Sequence, residues 1–230
     1  MLKAVIFDFD GIIVDTEPIH YRAFQEILVP LGMAYSWNDY ITHYMGFDDR
    51  EAFAEVYKSN GQLISEEKLL HLINRKGAIF EKIICDGVKP YPGALALIRV
   101  LSGEIPLALC SGALPSDIEP ILKQLNISDA FDVIVTAAEV AASKPDPESY
   151  LLAFSRLVTA FTDMNITPGE CLAIEDTPAG IASANGAGIS VLAVTNSYPA
   201  GNLSEAVRII ESLESVNLKY LHDIFNDYLA

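Results

Sequence analysis

Positive charge is scarce in this chain. Its 230 residues carry 15 Lys and Arg against 31 Asp and Glu, a formal net charge of -16 with a sequence pI of about 4.5. A surface field of that sign repels nucleic acid and acidic membranes and gives no long-range help to an anionic ligand. A phosphate would have to be drawn in locally, by a metal ion and a few cations. Cysteine is scarce too: Cys85, Cys110 and Cys171 lie far apart, with no CxxC spacing and no histidine cluster beside them. That excludes the usual zinc and dithiol patterns and predicts three buried thiols in a reducing compartment. No uncharged apolar run approaches the roughly 20 residues that cross a bilayer. Asp8 and Asp10 also interrupt the first apolar stretch before a secretory core could form. The expectation is a cytoplasmic monomer with neither nucleic acid nor membrane as partner. Low-complexity tracts and internal repeats are absent, and no Gly-rich turn follows the first apolar run, which excludes a dinucleotide fingerprint.

What is present is hydrophobic content of 51%, enough for one sizeable core with a smaller domain beside it. Five short apolar runs, KAVIFDF, IPLALCS, FDVIVTA, CLAIED and SVLAVT, read as buried strands. In the second half they alternate with segments of helical period such as PESYLLAFSRLVTAF. Such alternation predicts an α/β fold, a doubly wound parallel sheet with helices on both faces. Between Asp15 and about Cys85 the strand signal vanishes, and PIHYRAFQEILVPLG, DDREAFAEVYKSNG and SEEKLLHLINRKGAIFEKII read as amphipathic helices. They predict a small helical cap over residues 16–85, inserted into a core made of 1–15 and 86–230.

Four motifs close apolar runs with groups suited to phosphate. Asp8 and Asp10 in VIFDFDG share one side of an extended segment because side chains alternate with period two, and Gly11 lets the backbone turn away after them. Two carboxylates that close ionise together only if a cation is present; otherwise one keeps a proton, as a general acid must. Ser111 and Gly112 end LALCSG, where a hydroxyl and free N–H groups suit phosphate oxygens, and Ser116 reads as the cap of the helix that follows. Lys144, framed by Pro145 and Pro147, is a cation on a stiff stretch. Glu175 and Asp176 close CLAI just before a helix of small residues, a setting for an oxygen-liganded Mg²⁺. Each motif lies at the carboxyl end of a strand, where open α/β sheets build their sites.

In this order, DFDGIIVDTEPIH, SG, KPDP and EDTPAGI resemble the motifs of the haloacid dehalogenase-like superfamily over essentially the whole chain. Within it, DTEPIH, AEVAASKPDP and EDTPAGI resemble the β-phosphoglucomutase-like and sugar-phosphate phosphatase group. The resemblance implies a Rossmannoid core with an inserted cap, and it implies roles. Asp8 would be the nucleophile and Asp10 the acid. Ser111, with the N–H groups of Gly112 and Ala113, would hold the phosphoryl oxygens, and Lys144 would offset their charge. Asp8, the main-chain carbonyl of Asp10, Asp176 and Glu175 would seat Mg²⁺. In the cap and at its hinge, Glu17, His20, Arg50 and Lys76 would face the substrate, while His43, His71 and His222 read as structural. Asp10 argues for phosphate chemistry over carbon–halogen cleavage. Three functions follow: a Mg²⁺-dependent phosphatase of a small phosphorylated metabolite, a β-phosphoglucomutase-type isomerase on the same core, and a non-enzymatic phospho-receiver module.

Overall fold

The computed structural model describes residues 1–45 and 47–229. The chain opens with β1 (Ala4–Phe7) and passes through four helices, α1 (Glu17–Leu28), α2 (Trp37–Asp39), α3 (Asp49–Ser59) and α4 (Glu66–Ile84). It then alternates through α5 (Ala94–Leu101), β2 (Leu107–Cys110), α6 (Pro115–Gln124), β3 (Val133–Val135), α7 (Glu148–Ala160), β4 (Cys171–Glu175), α8 (Pro178–Gly186) and β5 (Ser190–Val194). A last strand, β6 (Arg208–Ile210), precedes α9 (Leu218–Leu229). Contacts divide the chain into two compact units, Met1–Asp15 with Lys89–Ala230, and Thr16–Val88.

In the first unit the strands form one sheet of order β3-β2-β1-β4-β5-β6, every pairing parallel. β1, β2 and β4 are buried at every position, which is why they read as unbroken apolar runs: a parallel strand with helices on both faces has no polar side. One face carries small residues, Ala4, Ala108 and Ala173, and against them pack Tyr150, Ala153 and Leu157 of α7 with Ile181 and Ala184 of α8. Alanine in the strands lets these helices approach closely. The strand order reverses direction between β1 and β4, so the crevice at their carboxyl ends is the switch point of the sheet.

In the second unit α4 packs on α1 and on α3. Phe24, Ile27 and Leu28 of α1 meet Phe53, Val56 and Tyr57 of α3 and Leu69 and Leu72 of α4, the helical spacing read in the sequence. Ser65 caps α4 by accepting from the Lys68 N–H, and Asp48 caps α3 by accepting from that of Glu51.

Three sequence expectations need correction. The sheet has a sixth strand, β6, a three-residue edge pairing only with β5. Ser116 is not the cap of α6: Leu114 occupies that position and Pro115 starts the helix, because its fixed φ fits the first helical residue and its missing N–H costs nothing there. Cys85 is exposed at the end of α4, whereas Cys110 and Cys171 are buried thiols. Among the described residues, no helix is long and apolar enough to cross a membrane.

Candidate active site

β1 delivers Asp8 just past its last paired residue, with the Asp8 N–H donating to the Ile174 carbonyl at 3.0 Å and the side chain almost wholly buried. The chain then turns at Gly11, whose φ of +85° favours glycine, and a β-carbon there would overlap the Asp176 carboxylate. The Asn196 side chain fixes this turn by donating to the Gly11 carbonyl at 2.6 Å. Asp10 bridges to Val14 on the same turn and is half-buried; its charge reaches Asp8.

Lys144 arrives from the loop before α7. Its ammonium donates to Asp8 Oδ1 at 2.5 Å, to Glu175 Oε1 at 2.7 Å and to the Cys110 carbonyl at 3.1 Å. These acceptors use its three protons and tie the carboxyl ends of β1, β2 and β4 to one nitrogen. Ser111 is buried after β2, and its Oγ accepts from the Ala113 N–H at 3.0 Å, while Gly112 between them is exposed.

Glu175 ends β4 and is saturated with donors. Oε1 takes Lys144 and the Tyr150 hydroxyl at 2.9 Å; Oε2 takes the N–H groups of Asp176 and Thr177 and the Thr177 hydroxyl. Gly180 on α8 makes room for this, since any β-carbon there would overlap the Glu175 carboxylate. Asp176 is fully buried. Its Oδ2 accepts from the Ser197 hydroxyl, and its Oδ1 has no hydrogen-bond partner among the described residues.

Carboxylate oxygens of Asp8, Glu175 and Asp176 lie within 4.8 Å of one another, a cluster that could hold a metal ion. Three carboxylates against one ammonium leave two negative charges uncompensated in a buried space, which low polarity makes costly. The protein shows that cost: burial, helped by the charge of Glu175 and opposed by Lys144, pushes the Asp8 carboxyl up to about 8. Burial and the neighbouring Asp8 and Glu175 likewise hold Asp176 well above the ordinary range. For Lys144, burial pulls the ammonium down, but Asp8 and Glu175 outweigh it and keep it charged.

The sequence motifs are thus brought together in the first unit: Asp8, Lys144, Glu175 and Asp176 in direct contact or within the cluster, with Asp10 and Ser111 on the adjoining turns. The other four named residues lie in the second unit. Glu17 accepts from the Tyr40 hydroxyl at 2.5 Å, His20 Nδ1 stands 2.7 Å from the Lys76 ammonium, and Arg50 forks onto Glu66 at 2.8 Å through both nitrogens. Sequence reasoning missed Tyr150, Asn196 and Ser197. The polar run Asn196-Ser197 follows SVLAVT, so the strand-end logic applied to the other motifs extends to it. Tyr150 sits on the apolar face of α7 and carries no such signal.

A doubly wound parallel sheet with a carboxylate cluster at its switch point defines the class, an α/β fold with its polar residues gathered at the strand ends. The chain belongs to the haloacid dehalogenase-like hydrolase family, whose model matches residues 5–194, and it is an enzyme of the hydrolase or phosphotransferase kind, which sets aside the receiver module. It is 31% identical to the phosphorylated carbohydrates phosphatase of Thermotoga maritima, over 94% of this chain and 98% of that one. It is 28% identical to the β-phosphoglucomutase of Bacillus subtilis, over 99% and 97%. Among solved structures, β-phosphoglucomutase from Clostridium difficile superposes with a TM-score of 0.86 at 27% identity, covering 100% of this chain and 99% of the other.

Proposed function

We propose that this protein is a Mg²⁺-dependent phosphatase that hydrolyses a small phosphorylated metabolite, a sugar phosphate, through an aspartyl-phosphate on Asp8. The observation that carries this is the Asp8 carboxylate itself, gripped by Lys144 and grouped with two further carboxylates. The residues fit a hard divalent cation, because the cluster offers oxygen donors only, bears excess negative charge and leaves Asp176 Oδ1 without a donor. Asp8, Asp176 and the main-chain carbonyl of Asp10 would hold Mg²⁺. Glu175, both oxygens already engaged, would add charge and keep Lys144 in place. When bound, the ion supplies charge neutralisation to the non-bridging phosphoryl oxygens.

The chain's own groups do the rest. An Asp8 carboxylate oxygen attacks phosphorus, the bond to the leaving alcohol breaks, and Asp10 gives its proton to the departing oxygen. Water then attacks the phosphorus of the aspartyl-phosphate, Asp10 takes its proton, and Asp8 is regenerated with release of inorganic phosphate. Ser111 and the N–H group of Gly112 hold phosphoryl oxygens, while the Ala113 N–H, given to Ser111 Oγ, preorders that turn and orients the hydroxyl. Lys144 balances charge on the phosphoryl group, as phosphoryl transfer requires. The reading is tested by turnover of p-nitrophenyl phosphate, which should require Mg²⁺ and stop with a chelator.

A mutase on the same core is the second reading, supported by the structural likeness to β-phosphoglucomutase. There a second sugar hydroxyl attacks in place of water. β-Glucose 1-phosphate supplied with its bisphosphate primer separates the two: glucose 6-phosphate with little phosphate release marks the mutase, and fast phosphate release the phosphatase.

A further inference from the structure

Lys144 stands on a segment that two helices of the first unit hold from either side. The Asp146 N–H donates to the Ser143 carbonyl at 3.0 Å, closing a turn around Lys144 and Pro145. Pro145 and Pro147 have no N–H to give, so main-chain bonds alone fix this stretch poorly. Side chains take over. Before the turn, Glu148 Oε2 at the start of α7 accepts from the Ala141 N–H at 2.9 Å and the Ala142 N–H at 2.8 Å, two bonds to a charged acceptor. Asp146 Oδ1 in turn accepts from the Glu148 N–H at 2.9 Å, which joins the turn to the helix. After the turn, the Ser183 hydroxyl of α8 donates to the Asp146 carbonyl at 2.6 Å. Ser183 is fully buried beside Ile181 and Ala184, which pack on the sheet. A hydroxyl in such surroundings is costly unless it is bonded, and its bond is made to the Lys144 segment.

We propose that Glu148 and Ser183 are positioning residues for Lys144, fixing its backbone so that the ammonium can turn one proton towards a phosphoryl oxygen without leaving its seat. This rests on the phosphatase proposed above and assigns a role in it to two residues outside the carboxylate cluster. Lys144 uses its three protons on Asp8, Glu175 and the Cys110 carbonyl. To balance charge on a phosphoryl group it must release the bond to Asp8 while Glu175 and the Cys110 carbonyl keep the other two. A lysine stem is flexible, so the place its ammonium reaches depends on where the backbone is held. A reacting group misplaced by about 1 Å can cost about 10²-fold in rate.

The test is a double-variant cycle on the full chain with Mg²⁺ and p-nitrophenyl phosphate, run below the melting temperature of every variant. Glu148→Ala and Ser183→Ala are each expected to lower kcat by about tenfold or more. Glu148→Gln keeps a carbonyl oxygen that can accept both N–H groups and should stay within about threefold of wild type. In the Lys144→Ala background, adding Glu148→Ala should change kcat by less than about twofold, because a residue that acts through the lysine has nothing left to position. Should Lys144→Ala fail to fold, calorimetric affinity for inorganic phosphate decides in its place. Glu148→Ala should weaken that affinity by about tenfold and Glu148→Gln restore it, which a loss of stability alone would not do. An unchanged kcat in either alanine variant overturns the inference, as does an equal loss with and without Lys144, the mark of a purely structural role. A wild type without Mg²⁺-dependent turnover defeats the phosphatase and this inference with it. Turnover that the alanine variants leave unslowed defeats the inference alone.

Discussion

The Tyr150 hydroxyl donates to the same oxygen of Glu175 that receives Lys144, 2.9 Å from one and 2.7 Å from the other. α7 therefore anchors β4 from within the core, and the carboxylate that orients Lys144 is itself held from behind. Tyr150→Phe removes one donor to a buried charge while keeping the ring beneath Lys144. Unfolding in urea should show a loss of about 1.5–3 kcal/mol, the range for a hydrogen bond to a charged group. An unchanged midpoint would mean that Glu175 does not depend on the tyrosine.

Ser197→Ala takes away the only hydrogen bond that Asp176 makes through Oδ2 among the described residues. Groups that orient a metal ligand typically cost 10- to 100-fold in metal affinity when removed, so a loss of about that size is expected. Titration of Mg²⁺ against turnover measures it. An activation constant within about twofold of wild type would show that Asp176 is oriented by the backbone alone.

Asp10→Asn keeps the turn and its size but cannot give up a proton. Turnover of a substrate with a poor leaving group should fall by roughly 10²–10⁴-fold, as for loss of a general acid, with phosphate binding retained. Steady-state kinetics with alkyl and nitrophenyl phosphates checks this, because the nitrophenyl ester needs the proton less.

Stability should depend on pH in a particular direction. The Asp8 carboxyl moves from an ordinary 3.8 to about 8 on folding, so across that window the native state keeps a proton that the unfolded chain has released. Stability of the metal-free protein must then fall as pH rises through the window. His20, held low by burial and Lys76, works the other way below its ordinary 6.5, so the decline is cleanest between about pH 6.5 and 8. Mg²⁺ at about a hundred times its Kd stabilises the native state by about 2.7 kcal/mol and should offset most of the loss. Thermal melts in chelator and in Mg²⁺ test this; a flat metal-free profile over that range would contradict it.

Much of the core was legible in the sequence because buried parallel strands have no polar side to interrupt them, so KAVIFDF, LALC and CLAIE announce both a strand and its end. The chemistry-bearing residues follow those ends directly. β6 escaped because a three-residue edge strand that begins with Arg208 has neither length nor periodicity. Tyr150 escaped because an aromatic on an apolar helix face reads as packing, and only the sheet brings Glu175 to its hydroxyl. Lys76 and Asp49 belong to segments read as amphipathic, where charges are expected in water; their ion pair, 2.7 Å from Nζ to Oδ1, depends on how α3 and α4 meet, which neither helix encodes alone.

The central claim is that Asp8 is the atom donor to phosphorus, and Asp8→Asn tests it most directly, since the nucleophile is lost with hardly any change in volume. With Mg²⁺ and p-nitrophenyl phosphate the variant should show no turnover above background while its thermal melt remains cooperative. Retention of even a tenth of the wild-type rate would contradict covalent catalysis at Asp8.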